Sequence, residues 1–299
     1  MTEQNIDKSS GWLCVNKPAG LTSRKVLNIL NREYGFKKSG YAGTLDPFAT
    51  GVLPIAIGRA TKVLEYFMET DKEYSFTVQF GIKTDTGDIT GQVTEEVITK
   101  ISEEEVSKVL PELIGQIKQV PPRYSAIKVG GRRAYDMARS GEEFELKSRL
   151  IDIFDLKLIA FDPITQQAKL WVNCGKGTYI RSLAEQIAAK LGVIATTIQL
   201  CRDRVGKFNL ENAFSLEKLK FLLHNAELEG CFSPVDYVLD DIPAIKVFEN
   251  DLQRLKSGQA IEYVSDQDLP LVRLLCGDMF VALGKLHSHS LKTIKIIEI

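Results

Sequence analysis

The chain has 299 residues, 44% hydrophobic and 26% charged, with a formal net charge of −1; that allows one large domain, or a large and a small one, around a sizeable core. A membrane or secreted protein is not expected: no apolar run approaches the ~20 residues of a span, and the start, MTEQNIDKSSG, is polar where a signal peptide is apolar. The five cysteines (Cys14, Cys174, Cys201, Cys231 and Cys276) make no C-x-x-C pair, so neither a disulfide framework nor a zinc site is expected, and the default location is the cytoplasm.

In chain order, GWLCVNKPAG from Gly11 reads as a short strand entering a Pro/Gly turn. Thr22 or Ser23 then caps a helix through Tyr34, with Val26, Leu27 and Leu30 on its apolar face and Gly35 as its stop. A glycine-rich loop containing Pro47 and Pro54 is expected from Gly40 to Gly58, and a strand where KEYSFTVQF alternates from Lys72 to Phe80. Ser102-Glu103-Glu104-Glu105 is a capping box for a helix presenting Val106, Val109, Leu110 and Leu113. Residues 120–148 are polar, basic and rich in turn formers, an excursion from the core. Strands are expected from Arg149 to Phe161 and from Lys169 to Cys174, followed by a turn at Gly175-Lys176-Gly177. A helix follows with Ile180, Leu183, Ala184, Ile187 and Leu191 at helical spacing. Ser215 caps a short helix from Leu216 to Leu223, Pro234 and Pro243 bracket a junction, and the tail from about 244 holds a helix ending at Gly258 and short strands.

The near-neutral sum conceals segregation. Lys17, Arg24, Lys25, Arg32, Lys37 and Lys38 fall in one stretch, and Arg123, Lys128, Arg132, Arg133, Arg139, Lys147 and Arg149 in a second, while acid gathers at Asp85, Asp88, Glu95, Glu96 and Glu103 to Glu105. Such runs are ordinarily solvated helix faces; they also suit a protein with one basic face for a polyanion. Asp46 precedes a proline, which biases its backbone away from helix, among glycines that permit close approach of a ligand. On its own an Asp-Pro of this kind reads as an Asx turn satisfying backbone N–H groups. His287-x-His289 lacks further ligands for a metal, and Asp85-Thr86-Gly87-Asp88 lacks the remaining calcium-loop spacing.

Longer blocks change the weight on Asp46. Gly40-Tyr41-Ala42-Gly43-Thr44-Leu45-Asp46-Pro47-Phe48-Ala49-Thr50-Gly51 resembles the signature of the TruB family of pseudouridine synthases, and four blocks follow in that family's order: Lys72-Glu73-Tyr74, Val120 to Lys128 with Gly131 to Tyr135, Gly177 to Ala184, and Leu200-Cys201-Arg202 with Val205 to Phe208. The resemblance spans about Gly11 to Phe208. It implies an α+β catalytic domain on a largely antiparallel sheet over residues 1–240, with the basic insertion at about 120–148, and a small C-terminal β-rich, RNA-binding PUA-like domain over 241–299. It implies a monomeric enzyme that converts uridine 55 in the T-arm loop of tRNA to pseudouridine, with no cofactor, metal or membrane partner. Asp46 is then the catalytic carboxylate, Arg181 the cation that keeps it ionised, and Tyr74 the ring against the flipped uracil, its hydroxyl relaying a proton. Tyr41, Leu183 and Leu200 would line the substrate pocket; Lys17, Arg123, Lys128, Arg132, Arg133 and Arg202 would contact RNA. Tyr41 stands where the family often has histidine, and Cys201 where many relatives have a second arginine. The alternatives are a non-catalytic RNA-binding or tRNA-folding protein on the same scaffold and a glycoside-cleaving enzyme, although the latter ordinarily uses two acids and this loop offers Asp46 alone.

Overall fold

The computed structural model describes residues 10–225 and 228–297; the polar stretch 1–9 lies outside them. A ten-stranded sheet forms the body of the molecule. Its main path runs Phe232–Ser233, Gly11–Lys17, Thr50–Ile57, Ala195–Val205, Lys72–Phe80, Gln167–Cys174, Arg149–Asp162, Gly115–Gln119. Pairing is antiparallel except where Thr50-Gly51 meets Cys201-Arg202, so the expected α+β class with a largely antiparallel sheet holds.

Alternation in Lys72–Phe80 gives the sheet two unlike faces. Tyr74, Phe76, Val78 and Phe80 point into a core with Leu170 and Val172 from the next strand and Ile180, Leu183, Ala184 and Ile187 from the helix Ile180–Lys190. Glu73, Ser75 and Gln79 stay partly exposed on the other face. The helix Ser23–Tyr34 forms where its caps are: Thr22 Oγ1 accepts from Lys25 N at 3.0 Å, and Gly35, at φ 67°, returns its N–H to Asn31 O. Val26, Leu27 and Leu30 pack it on Leu13, Val15, Leu53 and Ile55, each such burial worth roughly 1.5–3 kcal/mol.

Two departures from the sequence reading bear on the site. The second half of the expected Gly40–Gly58 loop is the buried strand Thr50–Ile57. Pro54 accepts from Ala42 N at 2.9 Å, so its missing N–H lies on that same edge. There the strand changes partners, from Cys201-Arg202 to Tyr41-Gly40-Ser39, and no ladder bond is lost. The central strand Ala195–Val205 was not expected at all. Gln199, Arg202 and Arg204 break its apolar pattern, but each is satisfied across the sheet: Gln199 Oε1 accepts from Thr77 Oγ1 at 3.1 Å, Arg202 Nε donates to Val52 O at 2.7 Å, and Arg204 Nε donates to Glu73 Oε1 at 2.7 Å.

A five-stranded sheet drawn from residues between Ala244 and Ile296, with the helix Glu249–Lys256, makes the C-terminal part. Its Phe280, Leu283 and Ile297 share a core with Trp12, Phe67 and Phe208 of the body, and Lys62 Nζ donates to Ile296 O and Ile297 O at 2.9 and 3.1 Å.

Candidate active site

Asp46 is held by what lies on either side of it. Ser23, at the start of its helix, binds both backbone groups of Leu45: Leu45 N donates to Ser23 Oγ at 2.9 Å, and Ser23 Oγ donates to Leu45 O at 3.2 Å. Pro47 O accepts from Gly20 N at 2.8 Å and from Lys17 Nζ at 3.2 Å. The carboxylate between them does not cap its own turn. Arg181 Nη2 donates to Asp46 Oδ1 at 3.0 Å, and Arg181 Nε lies 2.8 Å from Oδ2, a close charge contact off the line of a good hydrogen bond.

Arg181 is 3% exposed near the start of its helix, where the helix dipole disfavours a cation and burial costs more unless every donor is met. Its other contacts meet the two terminal nitrogens, and Nε has only the charge contact with Asp46. Nη1 donates to Thr86 O and Nη2 to Tyr124 O, both at 2.8 Å, and Asp88 Oδ2 stands 3.6 Å from Nη1. Asp88 is itself buried and accepts from Thr90 N at 3.0 Å and Thr86 Oγ1 at 2.9 Å. The Asp85–Asp88 turn, in sequence an incomplete calcium loop, therefore carries a second acid behind the guanidinium. Asp46 keeps 29% of its side chain accessible. Burial pushes its carboxyl above the ordinary value, Arg181 pulls it down, and Asp88 adds to the rise. The motif pointed to the cation and gave no sign of the burial.

Asp46 opens onto a cavity of about 490 Å³ whose walls include Leu45, Tyr74, Ser125, Tyr179, Ile180 and Leu200, within the usual range for small-ligand sites. Tyr74 is 7% exposed, and burial raises its hydroxyl so that it stays protonated, with Arg202 opposing. Lys72, two residues earlier, also lines the cavity and donates to Thr70 O at 2.5 Å; burial pushes it down to about 8. At the mouth, Arg149 Nη2 donates to Gly177 O at 2.6 Å while its guanidinium sits 4.9 Å over the Tyr179 ring. Lys72, Ser125, Tyr179 and Ile180 lie within the motif blocks and Arg149 in the second basic stretch, but nothing in spacing alone marked them as cavity walls.

Several expected placements are corrected. Lys17 and Arg202, read as RNA contacts, are 0% and 1% exposed. Lys17 Nζ donates to Pro18 O, Leu21 O and Pro47 O, and burial pushes it down to about 8; Arg202 donates to Val52 O and Gly43 O, on either side of Asp46 in sequence. Tyr41 is no part of the cavity wall: its strand turns it onto the core beside the helix Ser23–Tyr34, under Arg24 at 5.7 Å. Leu183 is 0% exposed in the core beneath the cavity, and Ile180 of the same helix takes the wall position. Leu200 lines the cavity. Arg123, Lys128, Arg132 and Arg133 are exposed on the insertion, which holds a hairpin, Lys128-Val129 against Arg132-Arg133, and the helix Ala134–Arg139. Arg132 is already engaged there, donating to both oxygens of Glu142 at 2.8 Å. His287 is the exposed last residue of the strand Met279–His287, facing Asp268, and the described residues contain no cluster of three or more His, Cys, Asp or Glu that could hold a metal.

The family model for TruB family pseudouridylate synthases (N terminal domain) matches residues 31–180. The chain is 41% identical to tRNA pseudouridine synthase B of Caulobacter vibrioides, covering 98% of this chain and 97% of that relative. It is 42% identical to the protein of that name from Ehrlichia canis, covering 84% of each, and 37% identical to that from Rickettsia akari, covering 97% of this chain and 99% of the relative. Among solved structures it resembles a chain of an H/ACA RNP bound to a substrate RNA containing 2′-deoxyuridine, with a TM-score of 0.73 at 21% identity over 97% of this chain and 85% of that one. A chain of a Cbf5-Nop10-Gar1 complex gives the same TM-score at 22% identity, over 99% and 88%. At those identities the structural likeness bears on the fold.

Proposed function

The chain belongs to the TruB family of pseudouridylate synthases, and from that membership we propose that it isomerises uridine 55, in the T-arm loop of tRNA, to pseudouridine, with Asp46 as the catalytic carboxylate. The observation that carries this reading is the Asp46–Arg181 pair at the edge of a cavity sized for a nucleoside. The reaction breaks the N-glycosidic bond, turns the uracil and joins its carbon 5 to the ribose. It is redox-neutral, so the groups it asks for are a carboxylate at the sugar and walls that hold the detached base.

Asp46 acts on the ribose by attack or by proton removal; both need the ionised form, which Arg181 favours against the burial. The uridine must leave its stack to reach it, at a cost of a few kcal/mol, least in a loop. Tyr74 lies against the flipped uracil, and its protonated hydroxyl serves the proton at carbon 5. Leu200 and Ile180 form the apolar wall. Arg123, Lys128, Arg132 and Arg133 meet phosphate, and residues 241–299 add RNA contact as a PUA-like module. No helix among the described residues is long and apolar enough to cross a membrane; the proposed substrate sets a cytoplasmic site of action for a monomeric enzyme.

The test is conversion of unmodified tRNA, and of an isolated T-arm stem-loop, with pseudouridine mapped by position. Conversion at position 55 in both is expected. Modification confined to the anticodon arm or to ribosomal RNA defeats the assignment, and release of free uracil would indicate glycoside cleavage instead.

A further inference from the structure

We infer that Arg202 is a positioning residue for this reaction: its buried guanidinium ties the catalytic loop to the strand that carries Tyr74 and orients the Tyr74 hydroxyl at the cavity. The geometry leaves it little other work. At 1% exposure Arg202 is among the largest fully buried side chains of the molecule, and such a cation is retained only where its donors are met. Nε donates to Val52 O at 2.7 Å, and Nη2 to Gly43 O at 3.0 Å and Ala42 O at 3.4 Å. Those three carbonyls bracket the loop that holds Asp46. Gly43 shows how tightly the guanidinium is seated: it has a φ of +73°, and a Cβ there would sit 2.9 Å from Arg202 Nη1.

The same side chain reaches Tyr74. The two residues are directly paired across adjacent strands, and both line the cavity. The guanidinium charge acts on the Tyr74 hydroxyl, opposing the rise that burial causes. Arginine only donates, so where it meets the tyrosine the oxygen accepts and the O–H stays free for the substrate. One rigid group thus sets the distance between the loop bearing Asp46 and the tyrosine hydroxyl. Lysine, a point charge on a flexible stem, cannot span these acceptors at once.

This inference rests on the proposed part of the Tyr74 hydroxyl in the conversion. Single-turnover conversion of the unmodified T-arm stem-loop is measured for the parent, Tyr74→Phe, Arg202→Lys and the double variant, with stem-loop affinity on the same preparations. Each single variant should slow conversion by about tenfold or more, while the double variant is no more than about twofold slower than Tyr74→Phe alone. Affinity should stay within about threefold of the parent throughout, because Arg202 is 1% exposed and gives its donors to the protein's own carbonyls. If Arg202→Lys does not fold, Gly43→Ala takes its place, since the added Cβ displaces the guanidinium without removing it. Losses that multiply in the double variant, or an Arg202→Lys protein that converts at the parental rate, overturn the inference and leave the assigned reaction standing. Equal conversion by the parent and Tyr74→Phe overturns both this inference and the role of the hydroxyl. A parent that converts nothing overturns the assigned reaction itself.

Discussion

Replacing Asp46 by Asn keeps the shape of the side chain and removes the charge. The structural cost should be modest. The amide retains an oxygen facing Arg181 Nη2, and Arg181 keeps Thr86 O, Tyr124 O and Asp88. What is lost is the charge assistance in one contact, about 1.5–3 kcal/mol for a hydrogen bond to an ionised group. What is regained is part of the cost of burying that carboxylate, the effect that raises its protonation. A net loss of about 1–2 kcal/mol corresponds to a fall in Tm of about 2–8 °C in a chain of this size. The chemical cost is of another order. Asn can neither attack the sugar nor take its proton, and Asp88 lies behind Arg181, so conversion should fall by about ten-thousandfold or more. Thermal stability, tRNA affinity and single-turnover conversion are measured on one preparation, with deamidation back to Asp excluded by mass. A folded, tRNA-binding Asp46→Asn protein that converts within about a hundredfold of the parent would refute the reasoning, because a carboxylate that acts on the sugar cannot lose its charge so cheaply.

Conversion also depends on pH in a defined direction. The Asp46 carboxyl is raised by burial, so the rate is present at high pH and lost as pH falls through a value above that of a free aspartate; Arg181→Gln should move this acid limb further up, and an unmoved limb contradicts the pairing. The same substitution leaves Asp46 and Asp88 without their shared cation and should cost about 3–5 kcal/mol in denaturant unfolding. Tyr74→Phe should bind tRNA as the parent does but convert poorly, while Tyr74→Leu should lose affinity as well; equal turnover by the Phe variant and the parent removes the hydroxyl from the mechanism. Affinity for tRNA should fall steeply with salt, and replacing Lys128 and Arg133 by Ala should each lower the log–log slope by about 1. Arg132→Ala should lower it less, since Glu142 already holds that side chain; a salt-insensitive parent would count against phosphate contact.

Local signals in the chain determined a good deal of this. Capping residues set the helix Ser23–Tyr34, period-2 alternation set the strand Lys72–Phe80, and a capping box set the helix that begins at Glu103. Each of these depends on residues close in sequence, and the motif blocks likewise named Asp46, Tyr74 and Arg181 from short runs. What escaped depends on partners far along the chain. Ala195–Val205 is a central strand because Thr77, Val52 and Glu73 satisfy its polar residues from more than a hundred positions away, and no local pattern can report that. The burial that raises Asp46, and the acid at Asp88 behind Arg181, exist only once the Asp85–Asp88 turn is folded against the helix Ile180–Lys190. Lys17 and Arg202 make the same point most plainly. A sequence shows that a residue carries charge, and surface is where charge usually lies. Only the tertiary structure decided that these two would be covered, because burial depends on whether the fold supplies carbonyls to meet every donor.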